Sequence, residues 1–92
     1  MSAAVKPAEK PACAQRILVV DDEAPIRELL QTYLTEHGYS VTTAGKGAEA
    51  LRLLPRAPID LVLLDVMLED ADGVELMLKL KKARPHCPIV II

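Results

Sequence analysis

Four short runs with strand character, three of them aliphatic and one (39–44) weaker, are separated by segments with helical periodicity, and they constrain the fold of this chain more than any other feature. The runs are ILVV (17–20), YSVTTA (39–44), IDLVLL (59–64) and PIVII (88–92). Short runs rich in Val, Ile and Leu are typical of strands that are covered on both faces. Because strands and helices alternate along the chain, the pattern βαβαβαβ predicts a parallel sheet with helices on both sides.

Three segments between these runs are predicted to be amphipathic helices. The first is bounded by Pro25, which suits a first helical position, and by Gly38, which suits a helix stop. Its apolar residues recur at helical spacing and are Ile26, Leu29, Leu30, Tyr33 and Leu34. The second helix, AEALRLL, is predicted to end at Pro55. The face predicted for the third helix, GVELMLKLKKA, holds Val74, Met77, Leu78 and Lys81.

The element order predicts a single α/β domain with a flavodoxin-like, doubly wound parallel sheet in the strand order 2-1-3-4. Residues 16–92 are assigned to this domain, and residues 1–15, which are rich in Ala, Pro and Lys, to a flexible tail. Hydrophobic residues make up 51% of the chain, yet it contains no Trp or Phe. The core is therefore expected to be aliphatic.

Charge and cysteine content narrow the classes of function. Eleven Lys and Arg against thirteen Asp and Glu give a net charge of -2, so nucleic-acid binding by this segment is not expected. No apolar run approaches the length of a membrane span, so no membrane association is expected. Cys13 and Cys87 lie far apart without metal-ligand spacing. Free thiols and a cytoplasmic location are therefore predicted.

Acidic side chains follow the first and third strands directly. Asp21 and Asp22 come after ILVV, and Asp65 comes after IDLVLL. In the predicted strand order these two strands are neighbours, and ligands bind beyond their carboxyl ends. Three converging carboxylates repel one another unless a cation lies among them, and hard oxygen ligands favour Mg²⁺ or Mn²⁺. Beside such an ion, Asp65 can act as a nucleophile toward a phosphoryl group.

These motifs carry a resemblance to a known family. ILVVDDEAPIRELL, DLVLLDVMLEDADGVELMLKLK and PIVII follow one another in the order and spacing typical of the receiver domain of bacterial two-component response regulators. The likeness covers residues 16–92. It implies a phosphorelay signalling domain, rather than an enzyme, which accepts a phosphoryl group from a sensor histidine kinase or a histidine phosphotransfer protein.

The resemblance also implies roles for individual residues. Asp65 matches the phosphoacceptor and contributes to the metal site. Asp22 matches the direct metal ligand, and Asp21 matches the acid that acts largely through metal-bound water. The backbone carbonyl of Met67 matches the third protein ligand of a bound Mg²⁺.

Two departures from the family pattern bear on phosphorylation. Glu69 stands where the family usually has proline, and it adds negative charge to the pocket. The Ser or Thr that follows strand four in the family, and the Lys that follows strand five, fall beyond Ile92, together with the last helix, strand and helix. The sequence is therefore expected to be a fragment or a truncated product, with self-association through the uncovered edge at 88–92 as a further expectation.

Other functions compete with this interpretation. A phosphorylation-incompetent interaction domain, or a remnant, is suggested by Glu69 and the early ending. A metal-dependent phosphatase of the haloacid dehalogenase type would have DxD after strand one, where this chain has DDE, and a flavin module would need a phosphate cradle in place of DDEAP. Asp72, just before Gly73, is predicted to be a helix cap. The segment around Asp70 fails as a calcium loop because Leu68 and Lys79 occupy its terminal ligand positions.

Overall fold

Strands and helices alternate along the chain in the predicted order. The structure is a computed structural model that describes residues 15–92. Its elements are β1 (Arg16–Val20), α1 (Ala24–Glu36), β2 (Ser40–Ala44), α2 (Gly47–Leu53), β3 (Leu61–Leu64), α3 (Gly73–Ala83) and β4 (Ile89–Ile91). Residues 1–14 of the predicted tail, and with them Cys13, lie outside the described residues.

The four strands form one parallel sheet in the order β2-β1-β3-β4. Val20 at the end of β1 is level with Ala44 of β2 on one side and with Leu64 of β3 on the other. The central pair, β1 and β3, therefore ends at the same height. The flavodoxin-like fold and its strand order are confirmed.

The main core lies between the sheet and the helices α2 and α3. Leu18 and Val20 of β1 and Val62 and Leu64 of β3 are fully buried on this face. They pack with residues from the helices and loops, among them Ala50, Leu54, Ile59, Leu68, Leu76, Leu80 and Cys87. Each fully buried aliphatic side chain contributes roughly 1.5–3 kcal/mol by leaving water. This layer holds the ends of β1 and β3 in place.

Helix α1 lies over β1 and β2 on the other face of the sheet, and its apolar face is covered incompletely. No residue of α1 is buried, and Leu29 and Tyr33 are 64% and 57% exposed. Pro25 is the second helical residue rather than the first, and the chain leaves the helix through Gly38 at a φ of 92°. An apolar stripe is buried only where a second layer of structure packs against it. Among residues 15–92, no such layer covers Leu29 and Tyr33.

Helix α3 buries a face that agrees with the predicted one only at Met77, which is partly buried against the core. Gly73, Leu76 and Leu80 point into the core, whereas Val74 and Leu78 are each 61% exposed. The sequence of α3 has apolar residues on more than one side, so its periodicity fits two stripes. Packing against α2 and the sheet selects the stripe that Leu76 and Leu80 form at i, i+4.

Within residues 15–92, strand β4 pairs with β3 alone and forms an edge of the sheet. Val90, Ile91 and Ile92 are 45%, 45% and 49% exposed, as expected for an uncovered edge, and self-association through it stays a prediction. Cys87 is a free, buried cysteine, and burial raises the pKa of its thiol. None of the helices within residues 15–92 is long and apolar enough to cross a membrane.

Candidate functional site

The predicted acidic residues meet at the carboxyl edge of the sheet. Asp21, Asp22 and Asp65 each offer a carboxylate oxygen, and these three oxygens lie within 4.8 Å of one another. Asp21 is buried at 5% exposure, whereas Asp22 and Asp65 are partly exposed. A set of oxygen donors, with no His or Cys among them, suits a hard divalent cation. The structure therefore brings together residues that can hold such an ion.

Backbone hydrogen bonds fix the positions of these acids. The parallel ladder continues one residue past the strands, because the Asp21 N–H donates to the Ala44 carbonyl at 3.1 Å and the Asp65 N–H donates to the Val20 carbonyl at 2.9 Å. The backbones of Asp21 and Asp65 consequently lie next to each other at the edge of the sheet. Their convergence is a property of the register of β1 with β3.

Each of the three carboxylates also accepts a backbone N–H from a loop. Asp21 Oδ1 accepts from Glu23 and Asp65 Oδ1 accepts from Met67, both at 2.9 Å and both two residues along the chain. Asp22 Oδ2 accepts from Glu69 at 3.2 Å, across 47 residues. These bonds orient the side chains and occupy one oxygen of each. The second oxygen of each carboxylate stays available for a ligand.

Met67 and Glu69 lie in the loop from β3 to α3, beside the acids. The Met67 side chain is 78% exposed, and only its backbone is predicted to serve the metal site. Glu69 is exposed and lines a groove of about 210 Å³ together with Asp22, Gly45, Lys46 and Asp70. Glu69 therefore lines the same groove as Asp22, and its N–H supports the Asp22 side chain.

Asp70 ties this loop to the start of α2. Its carboxylate accepts the N–H groups of Gly47 at 2.9 Å and Ala48 at 3.2 Å. Those two bonds, with a smaller contribution from the charge of Lys46, lower the pKa of Asp70 below 3.8. Sequence reasoning missed this role, because the partners lie more than twenty residues earlier and no local signal points to them.

A pH dependence follows from the lowered pKa of Asp70. A carboxyl group whose pKa is lower in the folded state stabilises the fold above its unfolded value of 3.8, and this contribution is lost as the pH falls through the folded value. We expect Asp70→Asn to be less stable than wild type at neutral pH, by a small amount because the group is exposed.

Urea unfolding of both proteins from neutral pH to below 3.8 measures the difference. The two free energies of unfolding should converge at the acid end, where Asp70 itself is uncharged. A constant difference at every pH would show that the charge of Asp70 contributes nothing. Glu75→Gln serves as a matched control, since Glu75 is an exposed acid whose ion pair with Lys79 is a surface contact of 3.8 Å.

Asp72 is a helix cap, as predicted. It stands at the N-cap of α3, and its Oδ1 accepts the N–H groups of Val74 at 2.9 Å and Glu75 at 3.1 Å. The Asp72 carboxylate therefore caps the start of α3 and is not part of the acidic cluster. His37 caps the end of α1, and His86 lies in the turn before β4.

Comparisons with known proteins agree with this fold. The family model of the response regulator receiver domain matches residues 17–92. The transcriptional regulatory protein GlrR of Escherichia coli is 42% identical over 83 residues, which are 90% of this chain but 18% of GlrR. The chain thus spans under a fifth of this relative's length.

Solved structures share both the fold and part of the sequence. The CheY-like receiver domain protein of Methanospirillum hungatei superposes with a TM-score of 0.83 and 33% identity, over 85% of this chain and 62% of that one. The response regulator TrrA of Thermotoga maritima, in complex with Mg²⁺-BeF, gives a TM-score of 0.79 and 42% identity over 84% and 67% of the two chains. TrrA has also been solved with the histidine kinase ThkA, where the TM-score is 0.78. On the family match and these likenesses, the chain belongs to the response regulator receiver domain family.

Proposed function

We propose that this domain accepts a phosphoryl group on Asp65, in a Mg²⁺-dependent reaction, from a histidine kinase or a histidine phosphotransfer protein. The observation that carries the proposal is the approach of three carboxylate oxygens to within 4.8 Å at the ends of two neighbouring strands. Two structures of one relative, TrrA, support it, because TrrA has been solved in complex with Mg²⁺-BeF and in complex with the histidine kinase ThkA.

Each residue of the acidic site has its own proposed role. Asp22 is proposed as a direct ligand of the ion, Asp21 as a ligand acting largely through bound water, and the Met67 carbonyl as the third protein ligand. The Oδ1 atom of Asp65 accepts the N–H of Met67, which fixes the orientation of the carboxylate, and the oxygen without this bond is proposed as the nucleophile. When bound, Mg²⁺ offsets the charge of the carboxylates and of the phosphoryl oxygens.

The transfer is an in-line displacement at phosphorus. The free oxygen of Asp65 attacks the phosphorus of a phosphohistidine, an O–P bond forms, and the N–P bond breaks. The departing imidazole nitrogen keeps the electron pair of that bond and takes a proton from solvent. The product is a mixed anhydride on Asp65, so the domain is proposed to be a signalling module rather than an enzyme with a diffusing substrate.

The proposal extends to where the domain acts and to which molecules it contacts. We propose that residues 16–92 form the receiver domain of a cytoplasmic protein, where a kinase supplies the phosphoryl group, with residues 1–15 as its tail. Because the net charge is -2, we propose that this segment does not bind nucleic acid and that any regulation of transcription belongs to other parts of a longer protein.

Incubation of the chain with a small phosphodonor, with and without Mg²⁺, tests the proposal. We expect one phosphoryl adduct per chain, measured as a mass increase of the intact protein, only when the ion is present. Calorimetric titration with Mg²⁺ should detect a single site in the absence of the donor. Binding of the ion without an adduct would favour the phosphorylation-incompetent interaction domain, and an ion-independent adduct would contradict the metal site.

A further inference from the structure

Arg27 reaches from α1 back to the end of β1, beside the acidic cluster. Its Nη1 donates to the backbone carbonyl of Asp21 at 2.8 Å, and its side chain is partly buried. Within residues 15–92, Arg27 makes no hydrogen bond or ion pair with the carboxylates of Asp21, Asp22 or Asp65. The guanidinium thus supports the backbone of the turn and leaves the acidic oxygens free.

Gly45 packs against the same guanidinium. A Cβ atom at position 45 would lie 3.0 Å from Nη1 and 3.3 Å from Cζ of Arg27. The N–H of Gly45 donates to Glu49 Oε1 at 2.9 Å, so the turn between β2 and α2 is held where it is. A side chain at position 45 would therefore displace the guanidinium of Arg27 rather than the turn.

Together these contacts fix the residue that begins the acidic pair. The backbone of Asp21 is held by its own N–H, which donates to Ala44 at 3.1 Å, and by its carbonyl, which accepts from Arg27. Three carboxylates within 4.8 Å repel one another, and this repulsion pushes the turn that carries Asp21 and Asp22 outward. A charged hydrogen bond at the Asp21 carbonyl opposes that movement.

We propose that Arg27, held in place by Gly45, is a positioning residue that preorganises Asp21 and Asp22 for the divalent ion. The inference rests on the proposed function of the site, and it concerns the affinity for the ion rather than the chemistry at Asp65. Groups behind the ligands set their orientation, and their loss weakens metal binding.

The test measures the dissociation constant of Mg²⁺ by calorimetry on the 92-residue chain without a phosphodonor. Arg27→Lys keeps the charge but removes the planar group that spans Gly45 and the Asp21 carbonyl. Gly45→Val keeps Arg27 but fills its place. We expect each change to weaken Mg²⁺ binding about tenfold, the lower end of the effect of ligand-supporting residues. Arg56→Lys, the same change at an exposed position after α2, should leave the affinity unchanged.

A double variant distinguishes the positioning role of Arg27 from a general loss of stability. In Arg27→Ala, whose guanidinium is already gone, Gly45→Val should weaken Mg²⁺ binding no further, because both changes remove the same contact. Urea unfolding of each variant without the ion identifies any that fail to fold, and Arg27→Lys then carries the comparison alone. At saturating Mg²⁺ the rate of adduct formation in Arg27→Lys should return to the wild-type value.

Three results would overturn the inference. Wild-type affinity in both Arg27→Lys and Gly45→Val would remove the positioning role. An effect of Gly45→Val that is as large in the Arg27→Ala background as in wild type would assign Gly45 a separate action. A wild-type chain that binds no Mg²⁺ would contradict the metal site itself, and with it this inference, whereas the first two results would leave the proposed function intact.

Discussion

Replacing Asp65 with asparagine is expected to abolish the phosphoryl adduct that the chain forms with a small phosphodonor and Mg²⁺. An amide is a far poorer nucleophile than a carboxylate, and no other residue of the acidic cluster is proposed to attack phosphorus. The change leaves local structure in place, because the asparagine oxygen can still accept the Met67 N–H that lies 2.9 Å from Oδ1 in the wild-type chain. Intact-protein mass spectrometry measures the loss.

The same substitution at the other end of β3 provides the control. Asp60 immediately precedes β3, and its carboxylate accepts the N–H of Arg16 at 2.8 Å. Asp60→Asn is expected to keep the full adduct, since this residue lies at the opposite edge of the sheet from the acidic cluster. An undiminished adduct in Asp65→Asn would remove Asp65 from its proposed role.

A stability measurement adds an independent check on the acidic cluster. Without an ion, Asp65→Asn relieves repulsion among three carboxylates whose oxygens lie within 4.8 Å. The free energy of unfolding should then rise, by about 1 kcal/mol, which is the energy of two unit charges roughly 4 Å apart in water. Added Mg²⁺ should stabilise wild type more than the variant, because the ion binds the folded cluster of wild type.

The sheet and the meeting of the acids could be predicted from the sequence because both depend on short-range patterns. Aliphatic runs such as ILVV and LVLL identify buried parallel strands, and handed crossovers leave few ways to order them. Once β1 and β3 are neighbours, Asp21 and Asp65 must emerge side by side, since their N–H groups continue the ladder.

The faces of the helices could not be predicted in the same way. Val74 and Leu78 fit a helical stripe as well as Leu76 and Leu80 do, and only the second pair faces the sheet. Periodicity measures where apolar residues cluster, but it does not say which cluster meets another layer. In α1 the stripe exists, and Leu29 nevertheless stays exposed.

The side-chain contacts around the carboxyl edge of the sheet could not be predicted from the sequence either. Asp70 binds the start of α2, and Arg27 binds Asp21 while lying against Gly45. Each of these polar side chains has an ordinary explanation as a solvated surface group, and nothing in its neighbours distinguishes it. Their partners are fixed by how the loops cross the carboxyl edge of the sheet, which is a property of the folded chain.

Gly73 illustrates a packing requirement with a large expected effect. A Cβ atom at this position would lie 2.5 Å from Cα, 2.6 Å from Cβ and 2.7 Å from the carbonyl oxygen of Val66. Backbone atoms cannot rotate away, so Gly73→Ala must push α3 from the segment that follows Asp65. We expect the free energy of unfolding to fall by about 2–3 kcal/mol, at the upper end of the usual cost of overpacking.

Gly47→Ala is the matched control, because Gly47 is also a buried glycine at the first position of a helix. There a Cβ atom would lie 3.0 Å from Ala71 Cβ and 3.0 Å from Leu76 Cδ2. These distances exceed those at Gly73 and require shifts of only a few tenths of an ångström, which the flexible Leu76 side chain and the loop that carries Ala71 can supply. We expect a loss of less than about 1 kcal/mol for Gly47→Ala. Urea unfolding compares the two variants, and equal losses would contradict the argument from Val66. A displacement of Val66 in Gly73→Ala also shifts the neighbouring Asp65. The phosphoryl adduct of this variant should therefore form more slowly even when the variant is fully folded.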